Sequence, residues 1–537
     1  MRGAQLLTKT LKRAGVKTIF SLSGNQIMPI YDACIDAGIK IVHTRHEAAA
    51  VYMADAWAQI TGEIGVALVA GGPGFANSLS PVFSAKHAES PILLLSGDSA
   101  LSEDGLGGFQ ELDQLMMTQP LVKLGLRPKK VDDLANHTIE LIRLAHKGRP
   151  GPVHMALPFD LLNQSTDTQH PSSPLETKPK ITTPTITPIV DALRASQRPI
   201  IFTGPQCNET RAAELLAAIR NKAGIPIISM ESPRGLNDPA LGSFKDLYKQ
   251  ADLIVLIGKK IDFTLGFGQS TVLPGTTKII VVDPEPEVLK HAEKQLQERL
   301  GYQLLANSPD VLRALEKEIH PVSHHSAWYA KVTKHLQNRA YIENKSQVNT
   351  SGSLSSHYVC TEIQSFLQSQ PDTILISDGG EFGQWVQATC HAKKRIIDGT
   401  SGAIGGGLPY AIAAKLAHPQ ATVVVAMGDG TAGFHLAEFD TASREKTSFT
   451  VIIGNDHKWN AEHLIQLENY GEDRLIGCDL DQSTDYAAAA GALGAQGYRV
   501  TTKQELADAF KQAESNQQVT CINAHITGEP APSYHPA

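Results

Sequence analysis

Two short turns in the last third of the chain carry the oxygen donors of a metal site. Gly428-Asp429-Gly430 follows the apolar, β-branched run from Thr422 to Met427, and Gly454-Asn455-Asp456 follows a second apolar run, Phe449 to Ile453. Between them Leu436, Phe439 and Ala442 recur at helical spacing. The pattern predicts a βαβ unit whose turns both leave at the carboxyl ends of neighbouring parallel strands, where open α/β sheets bind ligands. A hard cation such as Mg2+ takes carboxylate and amide oxygens and bridges to phosphates. Asp429, with either Asn455 or Asp456, could supply those oxygens. Gly-Asp-Gly alone more often means a tight turn; the partner turn on the next strand shifts the weight toward a site.

Glu47 is a third candidate, far upstream. It stands where the short strand Lys40 to His43 gives way to the Ala-rich helical stretch Ala48 to Gln59. Its carboxylate is expected at a helix N-terminus, where the macrodipole favours negative charge, although an ordinary helix-start glutamate fits equally.

The surrounding elements are those of a large α/β protein. At 537 residues the chain exceeds one core, and alternating strand-like and helix-like segments predict three doubly wound parallel-sheet domains. We place them at 1–165, 186–322 and 354–530. Residues 163–188, rich in Pro, Ser and Thr, read as one linker, and the stretch from His320 to Ser356 as a second, with His324 and His325 in solvated loop. The tail from Gly528 to Ala537 reads as frayed. In the middle region Asp283 ends a strand and fits either a nucleotide ribose or plain surface. Hydrophobic residues make up 42% and the net charge is −7, which gives no basic footprint for nucleic acid. No apolar run is long enough to span a bilayer and Met1 to Ala33 lacks signal-peptide order, so the expectation is a cytoplasmic protein with no membrane partner. Six dispersed cysteines without a CxxC pair read as buried core residues in a reducing compartment.

Five segments in this order resemble the thiamine diphosphate (ThDP) enzymes of the acetolactate synthase, pyruvate oxidase and 2-hydroxyacyl-CoA lyase type. They are Arg45-His46-Glu47 with its alanines, Gly71-Gly-Pro-Gly-Phe-Ala-Asn77, Gly108-Phe-Gln-Glu111, the Gly-rich Thr400 to Pro409, and Gly428-Asp-Gly430 with its distal turn. The family's second metal ligand is an Asn; the matching position here is Asp456, preceded by Asn455.

The resemblance implies a pyrimidine-binding first domain, a central domain and a diphosphate-binding last domain. It implies ThDP and Mg2+ as cofactors, with Asp429, Asp456 and the main-chain carbonyl at Lys458 on the metal. Gly24, Pro73, Asn77, Gly380, Glu381, Phe382, Gly402, Ile404, Gly428, Gly430 and Asn455 would join Asp429 and Asp456 against ThDP, with Ile404 holding it bent. Glu47, reaching the pyrimidine from a partner subunit, and Gln110, guiding the second carbonyl, would be the catalytic pair. A homodimer or homotetramer follows. Lys123 is a candidate for substrate charge. The substrate expected first is a 2-oxo acid, joined or decarboxylated as by acetolactate synthase. The loop Gly107 to Gln114 with Arg127, and the segment Lys259 to Gly268, resemble instead the 2-hydroxyacyl-CoA lyases and oxalyl-CoA decarboxylases, which take acyl-CoA substrates. Benzoylformate decarboxylase-like chemistry and a non-catalytic ThDP-binding paralogue are further alternatives. For the central domain the resemblance leaves FAD, or a CoA or ADP moiety, open.

Overall fold

The computed structural model describes residues 1–168, 180–338, 354–397 and 399–532. Three sheets, all with parallel ladders, follow one another along the chain. The first has six strands in the spatial order Lys40–His43, Thr18–Ser21, Gly65–Val69, Ile92–Asp98, Val153–Pro158, Gly125–Leu126. The second has five, in the order Leu300–Leu305, Lys278–Asp283, Leu253–Ile257, Pro199–Thr203, Ile227–Ser229. The third runs Leu354–Ser355, Thr520–Thr527, Thr450–Asn455, Thr422–Gly428, Thr373–Asp378, Lys394–Ile397, with Gln496–Val500 also paired to Thr520–Thr527. Central strands such as Ile92–Asp98 and Leu253–Ile257 are buried along their whole length. That is why Ile92–Leu95 and Leu253–Ile257 are continuous apolar runs rather than alternating ones.

The first and last sheets each contain a switch point where the chain order reverses. In the first domain the reversal lies between Thr18–Ser21 and Gly65–Val69, and in the last between Thr373–Asp378 and Thr422–Gly428. A crevice forms at such a point because the flanking connections leave on opposite faces. Gly24, Gly71 and Asn77 surround the first; Asp378 and Asp429 stand at the second.

The helix Glu47–Thr61 ties these two domains together. Ala48, Ala49, Ala50, Ala54, Ala56 and Ala58 are all buried, and a helix apolar on every side must be covered on every side. It packs against Gly407–Ala417 of the last domain, and one core cluster runs through both domains. Gly62 at φ 68° ends the helix in the left-handed conformation that glycine adopts without penalty.

Several expectations are corrected. The second linker contains the helix His325–Gln337; His325 is fully buried, and the rings of both His324 and His325 lie 2.9 Å from the Ser196 carbonyl. Residues 339–353 of that linker and 169–179 of the first lie outside the described residues. The tail is tied down at its start. Ala531 is buried, its amide donates to Glu381, and the Trp385 indole donates to the Glu529 carbonyl; 533–537 lie outside the described residues. All six cysteines are free and buried. Among the described residues no helix is long and apolar enough to cross a membrane.

His154, fully buried, stacks on Phe75 at 5.2 Å and lies 2.8 Å from Ser96 and 3.1 Å from Thr118. Burial pushes its pKa down to about 3, whereas the unfolded residue titrates near 6.5. The stability this provides is complete above pH 6.5 and drains away as the pH falls from there toward 3, because only the unfolded chain takes up the proton. At pH 5 the loss is about 2 kcal/mol. Urea midpoints at pH 7 and pH 5 check this. His154→Gln is expected to flatten the difference, and an equal slope in the variant would exclude the assignment.

Candidate active site

Glu47 is the first residue of its helix. The His46 ring caps that helix, its Nδ1 accepting from the Ala48 amide at 3.1 Å. The Glu47 carboxylate leaves the helix toward the turn after Gly65–Val69, where Asn77 Nδ2 donates to its Oε2 at 3.1 Å. A Cβ on Gly74 would stand 3.2 Å from Oε1, so the turn and the carboxylate are in direct contact. Pro73 opens the short helix Pro73–Asn77. Gly24 lies against Ala70, and Gln26 accepts from the Gly71 amide at 2.9 Å.

Gln110 closes the same corner. It sits at φ 61°, and a Cβ on Gly72, itself at φ 55°, would come 2.8 Å from its own Cβ. A non-glycine residue held there costs on the order of 1–3 kcal/mol, so the loop must be fixed from outside. Glu111 does this by accepting from the amides of Gly105, Gly107 and Gly108 at 2.6, 2.9 and 3.1 Å. Arg127 helps by clamping Asp104 to Asp98. Glu111 belongs to the Gly108-Phe-Gln-Glu111 segment, but its role in holding the loop rests on the three glycine amides that turn back onto it.

The two turns of the last domain meet as their spacing predicts. Asp429, Asp456, Lys458, Gly380, Phe382 and Trp459 line one small cavity, with Gly428, Gly430 and Glu381 also in its wall. Gly430 has no room for a side chain, since a Cβ would lie 2.8 Å from the Trp459 ring. Asp429 is 2% exposed, and its Oδ2 is buried without a hydrogen-bond partner. Burial pushes the Asp429 carboxyl up to about 6, with the amides of Gly430, His457 and Lys458 pulling it back. Asp456 is pushed up to about 7, first by burial and then by the charge of Asp429. A buried carboxyl with a bare oxygen, whose charge raises a half-buried second carboxyl beside it, suits a divalent cation. Among the described residues no three His, Cys, Asp or Glu side chains gather as a metal cluster. A larger cavity, about 540 Å3, lies between the edge strands of the central and last domains and holds none of the candidate residues.

Asn455 points elsewhere. Its Nδ2 donates to Asn523 at 3.1 Å and its Oδ1 accepts from the His457 amide at 3.2 Å. His457 at φ 59° makes the sharp bend that leaves Asp456, not Asn455, facing Asp429. The Lys458 carbonyl is spared by the neighbouring chain pairing, which uses the His457 carbonyl and the Trp459 amide.

Gly402 and Ile404 lie on the Gly-rich turn. The Ile404 carbonyl accepts from Tyr52 at 3.4 Å, which places it beside the helix that Glu47 begins. This turn is organised by Asp378, a residue missed from the sequence. Its carboxylate accepts from the Gly405 amide at 3.1 Å and the Gly407 amide at 2.6 Å. The strand end Asp378-Gly379-Gly380 repeats the pattern of Gly428-Asp429-Gly430 and could have flagged it.

Two other candidates are not at the site. Lys123 donates to the carbonyls of Lys147 and Arg149, fastening the loop after the helix Asp133–His146. Asp283 is neither a free ribose partner nor surface: it is fully buried and paired with Arg149 of the first domain.

A fold of three parallel-sheet domains, with a carboxylate at one switch point and an acidic, glycine-lined cradle at another, defines a cofactor-dependent enzyme class. Family models match in the same order: the thiamine pyrophosphate enzyme N-terminal TPP binding domain over 1–117, the central domain over 186–315, and the C-terminal TPP binding domain over 378–524. The chain belongs to the thiamine pyrophosphate enzymes. It is 30% identical to 2-hydroxyacyl-CoA lyase 2 of Danio rerio, covering 95% of this chain and 89% of that protein. It is 30% identical to the Homo sapiens protein of that name, covering 97% and 88%, and 27% identical to a probable acetolactate synthase of Mycobacterium bovis, covering 99% and 97%.

Proposed function

We propose that this protein is a ThDP- and Mg2+-dependent enzyme that makes or cleaves the carbon–carbon bond next to a carbonyl, working on 2-oxo acids in the manner of acetolactate synthase. The observation that carries the reading is the split site: Glu47, Asn77 and Gln110 at one switch point, the Asp429 and Asp456 pair at another. Asp429, Asp456 and the Lys458 carbonyl would hold Mg2+ against the diphosphate, and the cation relieves the repulsion between the two carboxylates. Bound ThDP supplies a nucleophilic thiazolium carbon and an electron sink.

This chain's residues supply the rest. Asn77 fixes the rotamer of Glu47, which holds a proton at the pyrimidine ring. Ile404 would give an apolar support against the bound cofactor. Gln110, a neutral donor and acceptor, orients the second carbonyl. The acidic cavity takes all its lining from the last domain, which supports a homo-oligomer in which Glu47 of one subunit serves the cofactor held by another.

A second reading, cleavage of a 2-hydroxyacyl-CoA, draws on Leu106 and Phe109. They are 78% and 75% exposed on the loop that carries Gln110, an apolar rim suited to an acyl chain. Incubating the holoenzyme separately with pyruvate and with a 2-hydroxyacyl-CoA, and identifying products by mass, separates the two. Acetolactate is the result expected from the first reading. An aldehyde with formyl-CoA would replace it by the second, and no product from either substrate would refute both.

A further inference from the structure

We propose that Glu438 is a positioning residue for Glu47, a role that rests on the reading of Glu47 above. Glu438 begins the short helix Glu438–Arg444, the crossover between the two strands that deliver Asp429 and Asp456. It is fully buried. Its Oε1 accepts from the amides of Arg45 and His46 at 2.9 and 3.1 Å, and its Oε2 accepts from the Thr441 hydroxyl at 2.6 Å. The carboxylate of the last domain therefore grips the two peptide groups that immediately precede Glu47 in the first.

The rest of the helix holds the same segment. Arg444 donates to the His43 carbonyl at 2.6 Å, and Glu445, just beyond the helix, pairs with Lys40 at 2.6 Å. Downstream, the His46 cap fixes the other side of the turn, and the His46 ring meets His435 edge-on at 5.6 Å. His435 is itself within 2.6 Å of the Gly405 carbonyl on the Gly-rich turn. Glu47 thus leaves a backbone whose last two amides are pinned to the domain that carries the metal turns. A buried carboxylate taking amides and a hydroxyl, with no basic side chain hydrogen-bonded to it among the described residues, is costly to build. The expense is explained if the direction of the Glu47 side chain must be fixed within a fraction of an ångström.

The test compares Glu438→Asp, one methylene too short to reach both amides, with Glu438→Gln, which keeps an acceptor oxygen for them and a group that can pair with Thr441. In the cofactor-free protein, Glu438→Asp should raise hydrogen exchange at the Arg45 and His46 amides by about tenfold or more. In the Mg-ThDP form it should slow exchange of the thiazolium C2 proton in D2O, which requires no substrate, by about tenfold or more. Glu438→Gln should restore both to near the parent values. Unchanged amide protection, unchanged C2 exchange, or a Gln variant as impaired as Asp would overturn the proposal. So would a Glu438→Asp chain that does not fold, since the residue would then be structural. Full C2 exchange in Glu47→Gln would instead defeat the reading of Glu47, leaving the amide result to speak for Glu438 alone.

Discussion

Glu47→Gln lowers turnover by about 100- to 10,000-fold, the range for losing a positioned acid–base group, while Mg2+ and ThDP still bind. The two effects separate because the structure separates their causes. The acidic cavity is lined entirely from the last domain, whereas Glu47 lies in the first, hydrogen-bonded to Asn77. Gln keeps the shape and can still pair with Asn77 but offers no proton-holding carboxylate. Steady-state rates together with calorimetric titration of ThDP in Mg2+ check this. A variant that turns over at the parent rate would sink the proposed role. One that no longer binds the cofactor would move Glu47 from chemistry to affinity.

Arg149→Met destabilises the chain by about 3–5 kcal/mol, the cost of breaking a buried ion pair from one side. Arg149 is 9% exposed and crosses from the first domain to the carboxyl ends of the central strands. There it pairs with Glu89 and Asp283 and donates to the Gly258 carbonyl at 3.0 Å. Removing the guanidinium strands two carboxylates at a domain junction. Arg211 lies beside them, donating to the Glu89 carbonyl at 3.2 Å and to Ser90 at 3.2 Å. Differential scanning calorimetry should show the midpoint falling by about 10 °C, with the central domain loosening first. Replacing Arg149, Glu89 and Asp283 together by apolar residues of similar volume should recover much of the loss, since desolvation of the charges disappears with them. An Arg149→Met protein with the parent midpoint would show that the bridge adds nothing.

Where sequence and structure agree, one physical rule was sufficient. The strand Lys40–His43 begins and ends where its residues predict, because apolar period and strand-ending polar residues are local signals. The strands Lys394–Ile397 and Gln496–Val500 went unread. Lys394 and Arg395 interrupt the first, and the second is mostly exposed, so neither has the apolar run that marks a buried strand. Around His325–Gln337 a local excess of His and Ser predicts linker; burial of Trp328 and Val332 in the central core makes it a helix instead.

By itself the sequence determined three parallel α/β units, the two oxygen-bearing turns, and the helix start at Glu47, since each depends on residues within about one element's length. The tertiary structure decided what those groups do to one another. It turned Asn455 onto Asn523 and left Asp456 facing Asp429, through a left-handed bend at His457 that no spacing foretells. It removed Lys123 and Asp283 from the site by giving them partners from other segments. It also added Asp378, Glu111 and Glu438, whose carboxylates matter only because distant backbone amides converge on them. Hydrogen bonds between residues as far apart as Glu438 and Arg45 are fixed by how the domains pack, and packing is a property of the whole chain rather than of any stretch of it.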